Sequence, residues 1–153
     1  MENTFSNFDI REPNLTLSEQ FEKERREWKS TISHMSSKIR HIDNLADLQV
    51  EVYSKRQEVV EYYHYLFSLL AKKNAEIRRE KKLKLEYYNV NYDFKLDPKQ
   101  KELYIQVDLE ELYIIKDELD NHLKFISSTQ GTIDNIIYGI KHRISIEEYK
   151  RRM

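Results

Sequence analysis

Apolar residues recur at helical intervals along most of this chain. Behind a polar stretch over 1–14, the segment "TLSE" has the form of a capping box, with Thr16 as N-cap and Glu19 three residues on. Leu17, Phe21, Trp28, Ile32, Met35, Ile39 and Ile42 then step by 4, 7, 4, 3, 4 and 3. That near-heptad stripe predicts a first helix over 17–42, with a face suited equally to an ordinary core and to docking. Asp43 or Asn44 is placed to cap a second helix. Its apolar face holds Leu45, Leu48, Val52, Val59, Tyr63, Leu66, Leu70, Ile77 and Tyr88, with no Gly or Pro between them. At 1.5 Å of rise per residue, such a helix needs neighbouring helices or other subunits to cover it.

The clearest break is "NVNYDFKLDP", 89–98, with turn-forming Asn and Asp, alternating aromatics and the second proline. A loop is predicted there, with a short extended segment or hairpin reaching towards "LYIQV" as one option. From Asp108 a further stripe carries Leu112, Ile115, Leu119, Leu123, Ile126, Ile133, Ile137, Ile140 and Ile144. Gly131 interrupts it at a cost of about 1 kcal/mol against alanine, which predicts a kink or break. The fold class is therefore all-α: long amphipathic helices with a short non-helical loop near 89–98.

Composition narrows this further. With 153 residues the chain is one ordinary domain, and 35% charged residues beside two glycines and two prolines argue against a glycine-dependent α/β enzyme. Eleven tyrosines, six phenylalanines and a tryptophan argue for a folded core. No cysteine is present, so a disulfide framework and a thiolate zinc site are excluded. The N-terminal residues lack a basic-then-apolar leader, and no apolar run approaches the ~20 residues of a membrane span. A soluble intracellular protein with no membrane partner is expected.

The formal net charge of −1 conceals a partition. Residues 72–84, "KKNAEIRREKKLK", hold seven basic and two acidic side chains, a net of +5. Residues 85–140 hold five basic and eleven acidic, a net of −6, and 141–153 return to +3. Like charges along one helix repel, so the basic segment requires an acidic surface, another subunit or nucleic acid, or else a solvated face. Arg78, Arg79, Lys81, Lys82 and Lys84 form a broad band rather than a point site, followed within about a turn by Tyr87 and Tyr88. Bases of a single strand can stack on such rings beside a positive track. A lysine-rich helix is more commonly a solvated face, and a helical tyrosine a packing residue, so the band is a candidate only.

Other chemistries are weaker. His34 and His41 are seven apart and His64 lies between Tyr63 and Tyr65, yet none has a partner at metal-site spacing. No phosphate loop or nucleophile elbow is present. The acids of "DLEEL", Asp108 to Leu112, suit the start of a helix, where its dipole favours them. No catalytic residue, metal or cofactor is expected.

"KKLKLEYY", Lys81 to Tyr88, resembles the basic motif of the UvsY family, recombination mediators of T-even-like phages, in which a Leu-Lys-Ala-Arg-type segment leads to a Tyr-Tyr pair. Leu123, Phe125, Asn135, Tyr138, Ile140, Lys141, Ile144 and Tyr149 fall at the spacings of that family's C-terminal pattern. The likeness covers about 45–149. Lys84 stands where the motif has arginine, "YYNV" replaces its Tyr-Tyr-Ser-Gly turn, and Tyr149 replaces a closing phenylalanine, as in a divergent member.

The resemblance implies a non-enzymatic protein of the infected bacterial host's cytoplasm. Such a protein forms ring-like homo-oligomers and binds single-stranded DNA. It contacts the phage single-strand-binding protein and loads the RecA-like phage recombinase. The resemblance places Lys82 and Lys84 on DNA. It makes the C-terminal helix, through Leu123, Phe125, Ile133, Ile137, Tyr138, Ile140 and Ile144, an assembly element. The expected organisation is a tail over 1–14, an additional helix over 15–42 and a mediator domain over 43–153. The rival expectation is a helical structural or adaptor protein that binds no DNA.

Overall fold

The computed structural model of the protein describes residues 15–153, so the predicted polar tail lies outside the described residues. The fold is all-α, with four α-helices and no strand among the described residues. Helix α1 spans Leu17–Lys38, α2 Leu45–Glu86, α3 Pro98–Asp108 and α4 Glu110–Arg152. A 3-10 turn at Ile42–Asn44 precedes α2, and a π-turn at Tyr87–Asn91 follows it. No helix among the described residues is long and apolar enough to cross a membrane.

Local chemistry sets the ends of these helices. The N–H of Glu19 donates to Thr16 Oγ1 at 3.2 Å, and the N–H of Thr16 donates to Glu19 Oε2 at 2.9 Å, completing the predicted capping box. Helix α1 stops at Lys38 rather than Ile42, where the His41 N–H turns back to the Lys38 carbonyl at 3.1 Å. Asp43 and Asn44 favour turns over helix interiors and lie within the 3-10 turn.

A second capping box starts α3. Asp97 Oδ1 accepts from the Gln100 N–H at 2.8 Å, Gln100 Oε1 accepts from the Asp97 N–H at 3.1 Å, and Pro98 takes the first turn. This start outweighs the strand preference of Tyr104, Ile105 and Val107, so the extended option for "LYIQV" is corrected to helix. Leu109 alone separates α3 from α4, its N–H donating to the Ile105 carbonyl at 3.0 Å. Helix α4 runs unbroken through Gly131, so the expected break is corrected to continuous helix.

Two compact units result: residues up to Tyr65 with His122–Met153, and Leu66–Asn121. Helix α1 belongs to the first unit together with the C-terminal part of α4. In this unit α1 and α4 both run opposite to α2. Lys38 meets Glu51 at 3.1 Å and Lys55 lies 5.9 Å over the Trp28 ring, while Arg56 meets Asp134 at 2.6 Å and Lys141 lies 6.0 Å over Tyr53. Exposed pairs like these contribute about 0–1 kcal/mol each and serve mainly to fix register.

The core supplies the larger share. Phe21 and Met35 of α1, Leu45, Val52 and Val59 of α2, and Ile126, Ile133 and Ile140 of α4 are all buried in this unit. Each such side chain contributes about 1.5–3 kcal/mol through removal from water.

One layer of this core is polar. The His122 imidazole is fully buried, stacked on Phe21 with centroids 4.0 Å apart. Its Nε2 lies 2.7 Å from Glu24 Oε2, which also accepts from the Tyr62 hydroxyl. Arg25 Nη1 lies 3.5 Å from His122 Nδ1. A guanidinium only donates, so Nδ1 is the acceptor and Nε2–H donates to Glu24. Each of the three helices thus contributes to one hydrogen-bonded layer.

His122→Ala should cost about 2–5 kcal/mol, chiefly through the cavity left where the buried ring stood, with the lost hydrogen bond to half-buried Glu24 adding to it. The combined variant Glu24→Leu, Tyr62→Phe, His122→Leu should recover most of that loss, with urea midpoints as the readout. Gly131 is exposed and a Cβ there meets nothing within 4 Å, so Gly131→Ala should stabilise by about 1 kcal/mol in the same assay.

Candidate nucleic-acid interface

The basic band lies on the part of α2 that belongs to the second unit. Helical geometry divides it. Leu70, Ile77 and Lys84 are seven apart and follow the line on which Ile77 is buried, so Lys84 points to the core side. Lys72, Ala75, Arg79 and Lys82, at i, i+3, i+7 and i+10, take the opposite face, with Arg78 beside them.

The outward side chains line an open groove of about 670 Å³ formed by Lys72, Ala75, Glu76, Arg78, Arg79 and Lys82. Ala75 gives it a low floor between the longer cations. The carboxylate of Glu76 is engaged by Lys73 at 2.8 Å. Arg78, Arg79 and Lys82 are exposed and make no ion pair with any described residue. Three exposed cations thus share one face with a single acid, Glu76, which Lys73 engages.

The remaining members of the band face the chain's own groups. Lys84 Nζ lies 3.9 Å from Asp108 Oδ2, and Lys81 Nζ lies 5.7 Å over the Tyr113 ring. The sequence grouped five cations; the structure joins Arg78, Arg79 and Lys82 and sets Lys81 and Lys84 apart. A smaller pocket of about 360 Å³ adjoins Lys81, with Leu85, Pro98 and Ile105 as its apolar wall and Lys101 and Glu102 on its rim. Its mixed charges give no directional field.

The tyrosine pair is packed into an aromatic cluster. Tyr87 meets Tyr88 at 5.1 Å, Tyr88 meets Tyr92 at 5.2 Å and Tyr104 at 5.8 Å, and Tyr92 meets Phe94 at 5.9 Å, all edge to face. The Tyr88 hydroxyl donates to Asp108. Tyr88 is therefore a packing residue with a fixed ring, whereas Tyr87 keeps 44% of its surface exposed. Asp108, which the sequence placed among helix-start acids, gathers both Tyr88 and Lys84. Its only sequence signal was the net of −6 across 85–140.

The seven expected assembly residues fall mostly inside the first unit. Leu123, Ile133, Ile137 and Ile140 are buried within the chain's own core, and Phe125 and Ile144 are half-buried. Tyr138 is 73% exposed and alone among them points outward. Among the described residues no group of three or more His, Asp or Glu could hold a metal ion.

The Tyr88 hydroxyl is pushed up to about 12 from the ordinary 10.0, first by its hydrogen bond to Asp108, then by burial and the Asp108 charge. The folded state thus holds this proton more tightly than the unfolded chain does. The resulting stabilisation is present below pH 10 and is lost as pH rises from about 10 to about 12. In a titration of tyrosinate absorbance, one of the eleven tyrosines should lag to about pH 12. Asp108→Asn should return it towards 10.0. Compared with known proteins, the chain matches no family model, no curated protein and no solved structure.

Proposed function

We propose that this protein is a recombination mediator. It binds single-stranded DNA and helps a RecA-like recombinase load onto DNA already covered by single-strand-binding protein. The observation that carries the reading is the outward face of Arg78, Arg79 and Lys82, three cations with no ion pair to a described residue beside an open groove. A flexible polyanion suits that field better than a small ligand, because the cations spread along a helix rather than converging on one point. The resemblance of Lys81–Tyr88 to the UvsY motif adds the mediator role and the oligomer. In a ring of such chains a modest contact repeats, and avidity raises the whole. The mechanism requires no hydrolysis: holding and bending the strand weakens the covering protein's grip while the recombinase nucleates.

A second reading, a helical adaptor that binds no DNA, draws on a different observation. Leu83 at the end of α2, Tyr87 and Val90 in the π-turn and Phe94 in the loop after it expose 57%, 44%, 77% and 71% of their surface, apolar area that a protein partner could cover.

Fluorescence anisotropy with labelled oligo-dT across a salt series separates the two. The native chain should bind, with log affinity falling by ~0.7 per phosphate neutralised for each unit of log salt. Arg78→Ala, Arg79→Ala and Lys82→Ala together should weaken binding and flatten that slope by about 2. Lys84→Ala should change it far less, because its ammonium faces Asp108. An unchanged slope in the folded triple variant would refute the assignment, and no binding at any salt would favour the adaptor.

A further inference from the structure

We propose that the outer face of the C-terminal part of α4 is a second contact for single-stranded nucleic acid. There Tyr138 and Tyr149 would stack bases while Lys141 and Arg152 pair with phosphates. This rests on the single-strand-binding reading and adds a surface in the first unit that the basic band does not include.

The first observation is exposure. Tyr138 and Tyr149 leave 73% and 65% of their surfaces in water, in a unit that buries Phe21 almost completely. They are not scattered. Tyr138, His142, Ser145, Tyr149 and Arg152 stand at i, i+4, i+7, i+11 and i+14, a single line along the helix. The Tyr138 and His142 rings are parallel to within 3°, with centroids 6.3 Å apart, so the line begins with two flat π-faces held in one orientation.

The second observation is charge. Residues 141–153 carry a net of +3. Neighbouring carboxylates are largely engaged: Asp134 by Arg56 at 2.6 Å, and Glu147 by Arg143 and Lys150 at 3.6 and 3.7 Å. Lys141, Arg151 and Arg152 are exposed and make no ion pair with a described residue, leaving Glu148 as the acid at the edge of the line. Lys141 is also steadied over Tyr53, itself 42% exposed.

Together the two observations select the ligand. An acidic peptide would satisfy the cations but has no planar group repeated along it for the rings. A lipid surface would want aliphatic side chains where His142 and Ser145 stand. A single strand offers phosphates and planar bases in alternation, and every base has a face to stack. The eleven-residue step from Tyr138 to Tyr149 is about 16 Å of helix, which places the rings on separate nucleotides of a strand lying along the axis.

The test uses the full chain with oligo-dT and oligo-rU carrying 5-iodouracil, photocrosslinked and mapped by mass spectrometry. Adducts are expected on Tyr138 and Tyr149. Tyr138→Ala with Tyr149→Ala should lower affinity about tenfold with the salt slope retained, since stacking releases no counterions. Lys141→Ala with Arg152→Ala should instead flatten the slope by about 1.4.

Adducts confined to Tyr87, with native affinity in the tyrosine double variant, overturn this inference and leave the basic-band reading standing. A native chain that binds neither oligonucleotide overturns both. Altered sedimentation of Tyr138→Ala with unchanged affinity assigns that ring to a chain–chain contact and also overturns it.

Discussion

A carboxylate within a three-helix core is tolerable only where its charge and lone pairs are met by donors already in place. Glu24 satisfies that condition through His122 and Tyr62, and it does so with groups from two other helices. The apolar lines of the first unit, Phe21 to Met35, Leu45 to Val59 and Ile126 to Ile140, repeat at seven-residue steps. The polar layer does not. Moving any helix by seven residues would part the buried His122 imidazole from the half-buried Glu24 carboxylate and the Tyr62 hydroxyl, leaving the ring nitrogens unpaired at a cost of about 1–3 kcal/mol. Register in this unit therefore draws on polar pairing as well as on hydrophobic attraction.

The second unit handles charge by depth rather than by burial. A helix of alternating cations presents some inward whatever its sequence, and Lys84 is the one on the Ile77 line. Asp108 meets it, and the Tyr88 hydroxyl shares the same carboxylate. What remains outside is a smaller but cleaner positive face. The division turns a run of five basic residues into a three-residue outward face.

Much of the fold was legible because helical periodicity is a local signal. The capping box at Thr16 and the stripes of α2 and α4 are each written within a few turns of chain, whereas the loop expected over 89–98 is narrower, since the π-turn still holds Asn89–Asn91 and Pro98 already belongs to α3. The misreadings share one cause. "LYIQV" has strand-forming side chains, and only the Asp97–Pro98–Gln100 start makes it helical. The seven-residue step from Phe21 to Trp28 passes over Glu24, whose partner lies 98 residues away. Nothing local marks that glutamate as interior. In α4, Ile133, Ile137 and Ile140 are buried within the chain and Ile144 is half-buried, while Tyr138 on another face of the same helix is exposed.

The polar layer also bears on how this sequence can drift. Glu24, Tyr62 and His122 occupy three helices, and loss of any one removes a hydrogen-bond partner from the others. A lineage crossing from the polar layer to an apolar one must pass through a poorly folded intermediate or change several codons together. Descendants of this chain should therefore retain the trio as a block or lack it as a block, while the exposed lysines and arginines vary one at a time. Correlated substitution, rather than invariance at a single site, is the mark this interior leaves on a genealogy.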